Sequence, residues 1–65
     1  MTQAARLVEA IRSRPLTYLE LEALKISSCP WKRLAESGYR HLMLGERIER
    51  KTGLDGLVRI GVTHG

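Results

Sequence analysis

Residues 16 to 34, LTYLELEALKISSCPWKRL, read as two short helices joined by a tight turn. Thr17 followed three residues later by Glu20 fits a capping box, in which the threonine hydroxyl accepts from the N3 amide and the glutamate accepts from the cap amide. A helix begins there, carries Leu21 and Leu24 on one face and stops near Lys25. Ser27 and Ser28 offer the next N-cap, and Pro30 suits the first turn of a new helix, where its missing N–H would have no intrahelical partner. That helix runs from about Cys29 to Ser37, and Gly38 can take the left-handed position that ends it. Leu21, Leu24, Ile26, Trp31 and Leu34 are spaced to weld the pair together. Trp31 and Leu34 are therefore expected in the core, with Ser27, Ser28, Lys32, Arg33 and Glu36 exposed and Cys29 near the edge.

Upstream, residues 2 to 13 hold Ala4, Leu7, Val8 and Ile11 at i, i+3, i+4 and i+7, the apolar stripe of an amphipathic helix. Thr2 is its expected N-cap. Arg14-Pro15 ends it, because the residue before proline is pushed out of the α region. Gln3, Arg6, Glu9 and Arg12 give this helix a charged outer side. Downstream, Leu42, Met43 and Leu44 form a short apolar run that reads either as a helical turn or as a strand. From Glu46 the texture changes to ERIERK, then TGLDG, then LVRIGV, two strand-like runs around a glycine-bearing loop. Val58, Ile60 and Val62 share one face by period-two alternation. An isolated hairpin is marginal in water, so that face must lie on the helices.

Sixty-five residues suffice for one domain with a thin core. The apolar fraction of 43% with 28% charged residues is that of a globular chain. Eleven basic against seven acidic residues, a net charge of +4, favour a polyanionic partner. Cys29 is alone and forms no internal disulfide. No apolar stretch approaches the length of a membrane span and no leader opens the chain, so the reading is a soluble cytoplasmic protein with no membrane partner.

Three helices followed by a basic hairpin look like the winged helix-turn-helix family, and the likeness covers nearly the whole chain. It is carried by LTYLELEALKIS (16–27), SCPWKRLAESG (28–38) and ERKTGLDGLVRIGVT (49–63), the last resembling a wing. In the general helix-turn-helix pattern an apolar residue follows the turn glycine and a small polar residue comes next. Two further apolar anchors stand five and eight residues after the first. Ile26, Ser27, Trp31 and Leu34 occupy those places. Lys25 stands where glycine is usual, and Pro30 lies inside the recognition helix's first turn; lysine meets that turn only with a less favourable backbone or another turn geometry. The size resembles small phage or plasmid regulators. The resemblance implies an α+β fold, a three-helix helix-turn-helix core followed by a β-hairpin wing, as a single domain over 1–65. It also implies a duplex DNA-binding protein, a small transcriptional regulator or architectural accessory.

On that expectation the helix over 28–37 reads the major groove and the hairpin over 46–62 contacts backbone or minor groove. Arg33 can pair bidentately with guanine, and Lys32 with guanine or phosphate. Ser27 and Ser28 can bind a phosphate, and Arg47, Arg50, Lys51 and Arg59 supply the wing's charge. The same hairpin also fits an edge strand blunted by charge. Arg40 and His41 fit a backbone contact or a solvated loop. A module this small covers few base pairs, so a homodimer or protein partner is expected, helix 1 being the candidate surface if its outer side were apolar. The alternative is a winged-helix protein-interaction module with no direct nucleic-acid role, docking through helix 3 or the run at Leu42, Met43 and Leu44. An enzyme is not expected, nor a cofactor or metal. His41 and His64 have no ligand at metal spacing, Cys29 has no evident base, and Glu20 and Glu22 fall on different helix faces.

Overall fold

The structure, a computed structural model, describes residues 2–65. It is a mixed α+β arrangement of three helices and a three-stranded antiparallel sheet. The elements run α1 (Gln3–Ser13), β1 (Leu16–Thr17), α2 (Tyr18–Ala23), α3 (Pro30–Ser37), a 3₁₀ turn (Gly38–His41), β2 (Glu46–Thr52) and β3 (Val58–His64). The sheet order is β1-β3-β2.

The expected apolar stripe of α1 is the heart of the core: Ala4, Leu7, Val8 and Ile11 are all buried, and the Thr2 hydroxyl accepts from the Ala5 amide at its N-terminus. Leu16, Leu21, Leu34 and Ile60 complete that core from four other elements. Thr17 and Glu20 form the capping box read from their spacing. β1, too short for a periodicity to reveal, pairs Leu16 with Ile60 and Thr17 with Arg59, so the hairpin is stitched to the chain just before α2. Val58, Ile60 and Val62 do share the face toward the helices, with Ile60 buried and its two neighbours half-buried. Behind that face, Gly61 packs on Pro15 so closely that an added Cβ would meet the proline ring at 3.1 Å.

Several expectations fail for identifiable reasons. Trp31 is 38% exposed and Leu24 45%, while Pro30 is buried in the place expected of the tryptophan. Helix α3 starts at Pro30, one residue later than expected, and its buried stripe is Pro30, Leu34 and Gly38 at i, i+4 and i+8 in place of Trp31 and Leu34 at i and i+3. The N-cap is Cys29, without a side-chain bond; Ser27 instead accepts from the Cys29 amide at 3.3 Å. Gly38 does not take the left-handed conformation: its φ is −60°, and the chain tightens into the 3₁₀ turn. A Cβ there would meet Ile48 at 3.0 Å and Leu34 at 3.1 Å, so this glycine serves close packing. Leu42 to Leu44 form neither helix nor strand; Leu42 is half-buried, whereas Met43 and Leu44 project into solvent. Arg12 turns inward from the outer side of α1 to bond Glu46 and the His41 carbonyl. The strand expected to close near Val62 continues to His64.

Between α2 and α3, Lys25 is the one non-glycine residue with positive φ among the described residues, at 55°. The left-handed conformation at this turn is thus adopted by a lysine despite the clash of its Cβ with the following carbonyl.

Candidate nucleic-acid interface

Helix α3 buries Pro30 and Leu34 against the rest of the fold. With about 100° of rotation per residue, its outward arc runs through Lys32 and Glu36, with Trp31 and Ala35 on one shoulder and Arg33 on the other. Lys32, Arg33, Ala35 and Glu36 are all exposed. No carboxylate lies within ion-pair distance of Lys32 or Arg33 among the described residues. Ser27, Ser28 and Cys29 continue this surface past the N-terminus of the helix, in one shallow groove with Lys32, Arg33 and Glu36. Ser28 is exposed; Ser27 is half-buried and already bonded to the Cys29 amide, which orders the turn.

The two shoulders face different neighbours. On the Arg33 side a groove brings Arg33, Ser37 and Arg40 together with Thr2 and Gln3 at the start of α1. Arg40 lies over the Tyr39 ring, 5.7 Å from its centre, and its Nε donates to the Tyr39 hydroxyl at 3.3 Å. This places Arg40 beside Arg33, a juxtaposition the sequence reading left undecided. It depends on the 3₁₀ turn that follows α3, which no helical spacing in the sequence marks.

On the other shoulder an apolar cleft opens between α3 and the hairpin. Trp31, Ala35, Tyr39, Leu42 and Ile48 line it, with Lys32 and Arg50 at its rim. Trp31 meets Tyr18 edge to face, with ring centres 5.6 Å apart and planes at 64°. Arg50 reaches the Tyr18 hydroxyl at 3.5 Å, so α2, α3 and β2 meet around this ring pair.

The four hairpin cations do not form one surface. Arg50 shares the helix-facing side of β2 with Ile48, as its pairing with Ile60 requires. Arg47, Lys51 and Arg59 alternate onto the opposite face. There Arg47 and Lys51 flank Glu49 at 3.3 and 3.6 Å. Arg59 is bound twice by Asp55, at 2.9 and 3.3 Å, and Asp55 also accepts from the Leu57 amide at 3.0 Å. That network closes the hairpin loop and holds the Asp55 carboxyl below its ordinary range, first through Arg59 and then through the Leu57 amide. The Arg59 charge is spent within the loop, whereas Lys32, Arg33, Arg40 and Arg50 have no carboxylate partner among the described residues.

Comparison with protein-family models, with curated proteins and with solved structures returned no match. No helix among the described residues is long and apolar enough to cross a membrane.

Proposed function

We propose that this chain is a winged helix that binds duplex DNA, with α3 in the major groove and the β2–β3 hairpin against backbone or minor groove, as a small transcriptional regulator or architectural accessory. One observation carries the reading: α3 exposes Lys32 on its outward arc and Arg33 on its shoulder, neither within ion-pair distance of a carboxylate among the described residues. The left-handed Lys25 at the α2–α3 turn supports it, since helix-turn-helix turns often carry glycine, the residue freest to take that conformation. Arg40 beside one shoulder and Arg50 beside the other extend the positive surface on both sides. The contact is built mainly from phosphate neutralisation, so affinity falls steeply with salt.

A titration with random-sequence duplex followed by NMR tests the reading. Amide shifts are expected along α3, at Ser27 and Ser28, and in the hairpin. Absence of measurable duplex binding at low salt overturns it.

A protein-interaction module with no nucleic-acid role is the second reading. It is favoured by the apolar cleft between α3 and β2 and by the exposure of Met43 and Leu44. An apolar contact there would change little with salt, the reverse of the behaviour expected of phosphate contacts.

A further inference from the structure

The cleft between α3 and the hairpin combines an apolar floor with two cations that nothing neutralises. Leu34 and Ile60, each 3% exposed, close its base, and its walls carry the rings of Trp31 and Tyr39, which stand 38% and 59% exposed. Its volume of about 660 Å³ falls within the range of small-ligand sites, about 300–1,000 Å³. Lys32 stands on the α3 bank and Arg50 on the β2 bank, and no carboxylate among the described residues lines the cleft or lies within ion-pair distance of either. Arg50 donates only to the Tyr18 hydroxyl, at 3.5 Å, which leaves its charge in place. Tyr18, itself outside the cleft, meets Trp31 edge to face and so holds the exposed ring in position before any ligand arrives.

Exposed aromatic rings between cations on opposite banks match a polymer that repeats a flat apolar group between negative charges. A single nucleic-acid strand has that repeat, a base at every step with a phosphate on either side. We propose that the cleft binds single-stranded DNA, one base entering against Trp31 and Tyr39 while the flanking phosphates meet Lys32 and Arg50. Stacking on aromatic rings tolerates any sequence, because every base has a π-face. The bases of a duplex are paired and stacked, so the cleft takes a strand already unpaired and the site goes beyond the duplex reading. A peptide of apolar and acidic residues matches the charge, but its anchoring side chain depends on a desolvated pocket, and Tyr39 leaves this cleft open. Among the side chains that line it only Tyr39 carries an oxygen, and that hydroxyl is already engaged as acceptor by Arg40 Nε at 3.3 Å. No free side-chain acceptor meets a ribose 2′-hydroxyl, which favours DNA over RNA.

Trp31 is the only tryptophan, so its emission reports on the cleft alone. Titration at low salt with octathymidylate, which forms no duplex, is expected to quench that emission and to saturate. An octamer of stable abasic sites on the same phosphodiester backbone is expected to bind at least about tenfold more weakly, the size of one stack of a base on an aromatic ring. Trp31→Ala, with its fold checked by circular dichroism and binding followed by anisotropy of labelled octamers, should remove that difference. Lys32→Ala and Arg50→Ala should each lower the salt slope by about 0.7. Absence of quenching in the wild type, equal affinity of the wild type for the two octamers, or an unchanged salt slope in both cation variants overturns the proposal. An octapeptide of alternating aspartate and leucine that binds more tightly than octathymidylate overturns it in favour of a protein partner, and octauridylate that binds more tightly overturns the assignment to DNA. None of these outcomes depends on duplex affinity, which the titration with random-sequence duplex measures separately.

Discussion

Arg12 on α1 and Glu46 at the start of β2, 34 residues apart, form a two-point ion pair, with Nε donating to Oε2 at 3.1 Å and Nη2 to Oε1 at 2.9 Å. The same guanidinium donates to the His41 carbonyl at 3.1 Å, and Glu46 also accepts from the Met43 amide at 2.7 Å. One arginine thus fixes α1, the end of the 3₁₀ turn and the first residue of the hairpin in a single network. The Arg12 bonds, and then the Met43 amide, hold the Glu46 carboxyl below the usual carboxylate range.

A pH dependence with a definite sign follows. As pH falls, the unfolded chain takes up its proton at Glu46 before the folded chain does, so the stabilisation is complete above the ordinary glutamate range and is lost as pH drops through the lowered value. Glu20, lowered chiefly by the Thr17 amide, and Asp55, lowered chiefly by Arg59, act with the same sign. Thermal unfolding followed by circular dichroism below about pH 4.5 should therefore fall steeply in the wild type and less steeply in Glu46→Gln, which lacks the titrating carboxyl. Parallel acid limbs would show that the pair contributes nothing to stability.

Trp31 and Leu34 should separate cleanly on substitution. Leu34 is 3% exposed, and Leu34→Ala is expected to cost about 2–5 kcal/mol. Trp31 is a half-open ring braced by Tyr18, so Trp31→Ala should lose the aromatic pair, about 1 kcal/mol, and the burial of the covered part of the ring, without opening a cavity in the core. Tryptophan emission shifted toward the red, with ready quenching by iodide in the folded state, checks the exposure directly.

The difference between those residues shows what the sequence could and could not reveal. The α1 stripe, both threonine caps and the inward face of the hairpin were legible because each rests on local periodicity or a fixed short spacing. The facing of α3 was not. Trp31 with Leu34 at i, i+3 and Pro30 with Leu34 at i, i+4 both make a helical stripe, and a roll of a few tens of degrees about the helix axis chooses between them. Lys32 and Arg33 were legible as exposed cations, but the division of the hairpin cations depends on strand register, and the Asp55–Arg59 pair on the closure of the loop. β1 and the inward turn of Arg12 depend on partners far away in the chain, which no local pattern encodes.

Lys25→Gly should stabilise the fold. The lysine is exposed at φ 55°, where a side chain costs about 1–2 kcal/mol and glycine is free of that clash. Glycine's greater freedom in the unfolded chain offsets part of the gain, leaving about 1 kcal/mol, a rise of roughly 4–8 °C in Tm for a domain of this size. Lys25→Ala, which keeps the Cβ, should give no such rise; equal Tm changes for the two would place the effect in the lysine side chain and not in the backbone.

The final prediction separates the two shoulders of α3. Lys32 points out along the arc that would enter the groove, while Arg33 lies toward α1 beside Arg40. On the proposed DNA reading, Lys32 meets base edges and Arg33 with Arg40 meets phosphate. Lys32→Ala should then cost about 1–3 kcal/mol on a selected site and much less on random duplex, because base-edge contacts add only to the specific complex. Arg33→Ala and Arg40→Ala should weaken both duplexes alike and each reduce the salt slope by about one unit. Fluorescence anisotropy with both duplexes over a salt series measures all three variants. The opposite pattern, with Arg33→Ala losing only the selected site, would transfer the reading role to Arg33 and require the helix to enter the groove rolled toward α1.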